Sequence, residues 1–314
     1  MTIVLGLSAV IVAVGEDGPL VLTTRAASGA PAGLPFGAFD PAGDRTLELS
    51  MRRFVREQTG FTIGYVEQLY TFGDRGREAP LPDAAGADRV ISVGYLALTP
   101  ERAALDAPGA AWADWYRFFP YEDWRTGRPA LIDREIAPRL REWAAGDGAR
   151  LTRMRLAFAL DGAPWNEERA LDRYELLYEA GLTAEAARDR ARYGAAVVGE
   201  SPSLLGDAMT SDHRRILATA MSRLRGKLKY RPIVFELMPE RFTLLHLQRV
   251  VEALSGLELH KQNFRRLLER TGLVEGAGIF ETRTGGRPAE LFRFRREALT
   301  ERPVGGVHVP TPRA

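Results

Sequence analysis

The sequence predicts an α/β (α+β) mixed-sheet domain with an α-rich insertion, then a small C-terminal unit of helix, turn, helix and hairpin. Three observations predict it. β-branched apolar runs broken by turn residues fill the N-terminal part around one helical stretch. From Pro129 to about Gly206 the apolar spacing turns helical. Near the C-terminus, two short amphipathic helices precede two strand-like runs.

Thr2 to Val14 and Leu20 to Ala27 are apolar runs separated by Gly15-Glu-Asp-Gly18, which reads as a hairpin. Thr2 to Val14 lacks a basic leader and is too short for a bilayer, so a buried strand, a cytoplasmic protein and no membrane contact are expected. Leu34 to Asp44 is a Pro/Gly loop leading into a helix from about Thr46 to Thr59, stopped by Gly60. Phe61 to Phe72 and Arg89 to Leu98 are further strands, and Trp112 to Trp124 is aromatic-rich and suits closure of the domain. In the insertion (129–207), Ile132 to Trp143, Trp165 to Ala180 and Thr183 to Tyr193 read as helices and Leu151 to Leu160 as a strand. Met209 to Lys227 reads as a long amphipathic helix, with Ile216, Leu217, Ala220, Met221, Leu224 and Leu228 inward and Arg214, Arg215, Arg223 and Arg225 around the rest. Residues 209–230 thus form a connecting helix that ends a first domain (1–230) and serves as the lever to a second (231–299). A Pro/Gly-rich tail (300–314) is expected to be poorly ordered.

In the second domain Thr243 caps a helix whose Leu244, Leu247, Val251 and Leu254 share a stripe, and Ser255-Gly256 stops it. His260 to Arg270 follows, with Phe264, Leu267 and Leu268 inward and Lys261, Gln262, Arg265, Arg266 and Arg270 outward. Leu273 to Arg283 and Pro288 to Arg295 flank a hairpin tip, Thr284-Gly-Gly-Arg287. This is the winged helix-turn-helix plan for gripping duplex DNA. Charge agrees. The net charge is only +2, but from Thr210 onward there are 20 Lys+Arg against 11 Asp+Glu, a balance of +9, and the remainder carries 23 against 30, or −7. A basic end on an acidic body suits a DNA reader joined to something else. With no cysteine, disulfides, thiolate zinc sites and cysteine nucleophiles are excluded, and no two of the four histidines have metal-ligand spacing.

Leu34-Pro-Phe-Gly37, the following helix and its ending Arg56-Glu-Gln-Thr-Gly-Phe61 resemble the loop-helix-loop signature of Nudix hydrolases. That family's helix carries three glutamates at i, i+3 and i+4 to hold Mg²⁺ beside a diphosphate. Here those positions are Phe54, Glu57 and Gln58, with the flanking Arg53 kept. One carboxylate holds a hard cation weakly, so the box reads as degenerate and no enzyme activity is expected. Val66-Glu-Gln-Leu-Tyr-Thr-Phe-Gly73, Val93-Gly-Tyr-Leu-Ala-Leu98, Asp212-His-Arg-Arg-Ile-Leu217, Phe242-Thr-Leu244 and Asn263-Phe-Arg-Arg266 resemble the Nudix-related transcriptional regulators of NAD metabolism. The long chain is similar to the alphaproteobacterial type. The resemblance implies a Nudix-like domain and a repressor that binds palindromic operators as a homodimer. It also implies an adenine nucleotide effector, ADP-ribose, ATP or an NAD-linked relative, and no required cofactor.

For DNA, Arg265 and Gln262 are the candidates for base edges, since Arg matches guanine and Gln adenine. Asn263 and Arg266 match the family motif and suit a phosphate or a buttress of the helix. Lys261, Arg270, Arg283 and Arg287 suit phosphates, Arg287 also the minor groove. Thr243 suits capping and phosphate contact at once. For the ligand, Tyr70 and Phe72 share a strand face and suit either adenine stacking or core packing. Arg25, Arg53 and Arg89 suit a diphosphate, with Glu57 beside them. Two rival functions are an active Nudix hydrolase of ADP-ribose with an accessory DNA-binding domain, and a constitutive DNA-binding scaffold.

Overall fold

The computed structural model describes residues 3–16, 18–74, 89–100, 105, 107–192, 205–282 and 288–297. β1 (Ile3–Val14) is the central strand of a six-stranded mixed sheet. On one side it pairs in parallel with β5 (Arg89–Leu98), which carries β4 (Tyr65–Phe72) antiparallel at the edge. On the other, β2 (Pro19–Thr23) and β3 (Phe36–Ala38) pair antiparallel to different parts of β1, and β6 (Ala111–Asp114) extends the sheet from β2. β3 and β6 are absent from the sequence reading, because three and four residues among Gly, Pro and Trp carry no usable alternation.

β1 shows why the sheet lies between helices. Its alternate residues Leu7, Ala9 and Ile11 join one apolar cluster, with Met51, Phe54 and Val55 of α1 (Leu47–Thr59). Val10 and Val12 join another, with Ile216, Leu217 and Leu224 of α6 (His213–Tyr230). A strand buried on both faces reads as a continuous apolar run, as this one does. Thr46 caps α1 by accepting the Leu49 N–H at 3.1 Å, and Gly60 ends it at φ 73°.

The insertion is helical, with one correction. A π-helical turn, Ile132–Ile136, runs into α2 (Ala137–Trp143); α3 (Gly148–Ala157), α4 (Ala170–Glu179) and α5 (Ala184–Arg192) follow. The expected strand Leu151 to Leu160 is instead mostly α3. Asp147 caps that helix by accepting from the Ala149 and Arg150 N–H groups, and Met154 and Ala157 anchor it one turn apart in the core. α6 also differs in bounds, starting at His213 rather than Met209 and running on to Tyr230.

A 3-10 segment, Ile233–Leu237, then leads to α7 (Leu244–Ser255), α8 (Lys261–Thr271) and a hairpin of β7 (Val274–Glu281) and β8 (Ala289–Phe294). Phe242 and Phe292 exchange backbone hydrogen bonds at 3.0 and 2.8 Å, and Phe235 stacks on Phe294 at 4.1 Å, so the hairpin is pinned to the body of the head. Arg283, Arg287 and the 300–314 tail lie outside the described residues. One apolar cluster runs from Val10 through Tyr174 and Leu224 to Leu254 and Leu268, so sheet, insertion and head share a core.

Candidate DNA interface and nucleotide site

α8 is fixed by Phe264 and Leu268, both buried, with Leu267 half-buried. The remaining side chains follow from helical geometry. Lys261, Gln262, Asn263, Arg265, Arg266 and Arg270 are all exposed. Arg266 donates to Asn263 Oδ1 at 3.1 Å, so Asn263 orients its neighbour one turn on. Lys261, Arg265 and Arg270 make no ion pair among the described residues. His260 offers no side-chain cap, which leaves the first N–H groups of α8 open to an anion beside Lys261. Thr243 is committed locally: its hydroxyl accepts the His246 N–H at 3.1 Å.

α6 looks equally basic but is used differently. Arg225, 1% exposed, donates to Glu122 at 2.5 Å, to the Leu254 carbonyl of α7 at 3.0 Å and to the Glu167 carbonyl at 3.0 Å. Arg173 of α4 grips the same carboxylate, at 2.8 Å through Nη2. Burial pushes the Glu122 carboxyl up, but the two arginines outweigh it and hold it below its ordinary value. Gly256, at φ 73°, lies so close that a Cβ there would sit 2.4 Å from the Glu122 carbonyl oxygen. Arg214, also 1% exposed, donates to the Phe118 carbonyl at 3.0 Å and pairs with Glu185 at 3.3 Å. The expectation that Arg214 and Arg225 line a polar outer side is thus corrected: each is wholly packed, because Glu122, Glu185 and backbone carbonyls from other elements converge on it.

His213, at the start of α6, accepts the Leu34 N–H at Nδ1, 3.0 Å away. Burial, then the Arg188 charge, lowers its pKa from 6.5 to about 3. It is therefore neutral at physiological pH.

The candidate ligand residues fall into separate places. Beside the Nudix-type helix, Asp44 accepts from Ser50 at 2.6 Å and from Arg53 at 3.0 Å, and Arg53 reaches Glu57 at 3.4 Å. The Ser50 hydrogen bond, followed by the Asp40 N–H, holds the Asp44 carboxyl below its usual range. Phe54 is 4% exposed and points into the core, while Gln58 clamps both backbone groups of Phe36, at 3.2 and 2.6 Å. Among the described residues there is no cluster of three or more metal-ligating side chains. Arg25 lies apart on the loop after β2, donating to Ala30 at 2.5 Å. Arg89, at the start of β5, donates to the Gly73 carbonyl.

Tyr70 and Phe72 do meet, edge to face at 5.5 Å, but a register shift between Gln68 and Thr71 leaves Tyr70 exposed and Phe72 buried. They line a cleft of about 620 Å³ against α6, with Arg215, Arg223, Lys227, Tyr230 and Arg231. These residues of α6, with Arg231 just after it, are absent from the sequence-based ligand set, because nothing local in the helix reports that an edge strand faces it.

Comparison with known proteins bears on the head first. Residues 234–294 match the model of the NrtR DNA-binding winged helix domain. The C-terminal head is similar to that winged-helix domain. An ADPR responsive transcriptional repressor NtrR from Acinetobacter baylyi is 40% identical over 83 residues, 26% of this chain; that match spans 33% of the relative's length. In fold, the chain is similar to Shewanella oneidensis NrtR complexed with a 27mer DNA, with TM-score 0.55 and 20% identity over 97% of this chain and 98% of that one. It is also similar to a MutT/nudix family protein from Enterococcus faecalis, with TM-score 0.52 and 18% identity over 94% and 87% of the two chains. The resemblance to Nudix-related regulators is borne out: the NrtR-type head follows a Nudix-like mixed α/β domain with a helical insertion. No described helix is long and apolar enough to cross a membrane.

Proposed function

We propose that this protein is a cytoplasmic transcriptional repressor of NAD metabolism genes. It binds palindromic operator DNA as a homodimer and is released by an adenine nucleotide, ADP-ribose or ATP. In this reading residues 1–230 sense and residues 231–299 read. The observation that carries it is α8, whose Lys261, Arg265, Arg266 and Arg270 are all exposed in a head similar to the NrtR DNA-binding winged helix domain. A dimer sets two such helices in successive major grooves, about 34–36 Å apart. Arg265 and Gln262 then read base edges, Lys261 and Arg270 meet phosphates, and Arg266, steadied by Asn263, serves either.

The effector half of the proposal is supported by the ADPR-responsive relative and by the Nudix-like fold. The chain acts as a sensor and not a hydrolase: burial of Phe54 and the backbone clamp of Gln58 leave Glu57 as the one carboxylate at the three glutamate positions of the Nudix helix. By linkage, operator DNA lowers nucleotide affinity by the factor with which nucleotide lowers DNA affinity.

The test is fluorescence anisotropy on a palindromic duplex from upstream of NAD biosynthetic genes, titrated with the protein at several salt concentrations, then with ADP-ribose and ATP. Specific binding with a steep salt slope, reversed by nucleotide, is expected. Equal affinity for operator and scrambled duplex, or Mg²⁺-dependent turnover of ADP-ribose, overturns it.

A further inference from the structure

The last turn of α7 ends against the rest of the molecule and not in solvent. A helix leaves its final carbonyls without partners of its own, and here three are met from outside the head. Tyr116 Oη donates to the Ala253 carbonyl at 2.7 Å, Arg225 Nε to the Leu254 carbonyl at 3.0 Å and the Trp124 N–H to the Gly256 carbonyl at 2.8 Å. Arg225 also brings a positive charge to the negative end of the helix dipole. The turn beyond is clamped in its own right. Gln248 donates to the Leu259 carbonyl and Glu252 accepts the Leu259 N–H, each at 2.9 Å. α8 begins two residues later, at Lys261. Where the end of α7 is held therefore decides where α8 points.

The holding group is Glu122, fully buried on a 3-10 turn, Pro120–Glu122, shortly after β6. One of its oxygens accepts from Arg173 Nε, the other from Arg173 Nη2 at 2.8 Å and from Arg225 Nη1 at 2.5 Å. This fork pairing with Arg173 fixes direction as well as distance. Among the described residues, Glu122 is the one carboxylate paired with either arginine. Arg173 gathers the insertion: it donates to the Ala157 carbonyl at 3.0 Å and the Asn166 carbonyl at 2.9 Å, and lies 3.9 Å over the Trp165 ring. Trp165 stacks at 4.1 Å on Trp124, whose N–H holds Gly256. The insertion thus reaches the end of α7 by two routes, through Glu122 to Arg225 and through Trp165 to Trp124.

Resting on the reading of this chain as an operator-binding protein, we propose that Glu122 is a positioning residue for the recognition helix, through which the insertion sets the angle that α8 presents to DNA. Glu122 itself touches no DNA. It fixes Arg225, Arg225 fixes the end of α7, and the clamped turn passes that placement to α8. Two half-sites are read together only if both helices keep their angle, so slack at this joint is carried to the groove.

The chain has no cysteine, so Leu49→Cys on α1 and Glu269→Cys on α8, both exposed positions, give two unique sites for nitroxide labels. With labelled protein diluted in unlabelled chain, pulsed electron resonance is expected to show one narrow distance, broadened by Glu122→Gln. The same variant is expected to lose about tenfold in operator affinity, the scale of one displaced base-edge contact. Its affinity for scrambled duplex stays, and its preference for native half-site spacing over sites moved apart by one base pair shrinks. Circular dichroism checks the fold. Should Glu122→Gln fail to fold, Tyr116→Phe, which removes only the hydroxyl on Ala253, replaces it with the same outcomes expected. A folded variant with the wild-type distance overturns the proposal. So does equal loss on operator and scrambled duplex, which general loosening of the head produces, or a broadened distance with operator selectivity unchanged. If the wild type binds both duplexes equally, the operator reading falls, and the distance measurement still decides whether Glu122 positions α8.

Discussion

α6 and α8 are both short of acid and rich in arginine, yet they use their cations in opposite ways. In α8 every Lys and Arg is exposed and, apart from the Arg266–Asn263 contact, faces solvent. In α6, Arg214 and Arg225 are buried among carboxylates and carbonyls, and Arg215, Lys227 and Lys229 are tied to acids on other elements. A positive balance of +9 from Thr210 onward therefore overstates the free positive charge at the surface. Surface charge comes from cations without partners, and partners are set by tertiary contacts.

The sharpest way to break this comparison is to remove a bolt from α6. Arg225→Ala is expected to destabilise the chain by about 3–5 kcal/mol, because Glu122 loses a buried partner and the Leu254 carbonyl loses its donor. Urea unfolding measures it, and a loss under 1 kcal/mol, about that of an exposed pair, would show that the cluster is not a bolt.

His213 comes next. Its folded pKa of about 3 lies below the ordinary 6.5, so the stability tied to its neutral form is complete above 6.5 and declines as pH falls toward 3. The slope in that window is on the order of 1.4 kcal/mol per pH unit at most. Urea midpoints at pH 7 and pH 5 should separate in the wild type and converge in His213→Asn. Equal pH dependence in the two proteins would count against the assignment.

The α8 variants should leave stability alone and change DNA binding. Arg265→Ala is expected to cost about 1–3 kcal/mol on operator and to relax base preference at one position. Lys261→Ala should weaken operator and random duplex alike and lower the salt slope by about 1. Identical specificity in both variants would mean that α8 does not read bases.

The smallest effect is expected at the Nudix-type helix. Arg53→Ala removes the pairs of an exposed arginine with Asp44 and Glu57, and Asp44 keeps its Ser50 hydrogen bond, so stability should stay within about 1 kcal/mol of wild type. A larger loss in urea unfolding would give this cluster a structural role like that of α6.

Much of the architecture was legible in order. α1, β5, α7 and α8 have strong periods and clear stops at Gly60, Gly256 and Gly272, and the structure places them within a residue or two of expectation. The stretch around Leu151 was misread because its apolar residues do not distinguish the two periods, while the cap at Asp147 does. β3 and β6 are too short to carry a pattern and exist because β1 and β2 offer them edges.

The site divides along the same line. The exposed face of α8 follows from its own eleven residues, since a helix with one apolar stripe turns everything else outward. The fates of Phe54 and Gln58, the pairing of Arg225 with Glu122 and the placing of Tyr70 and Tyr230 along one cleft depend on contacts far apart in the chain. Local pattern determined where this protein presents exposed cations on α8. Which of its other cations are free, and so where an anion can bind, was decided only when the sheet, the insertion and the connecting helix closed on one another, because partners for a buried charge come from the whole fold.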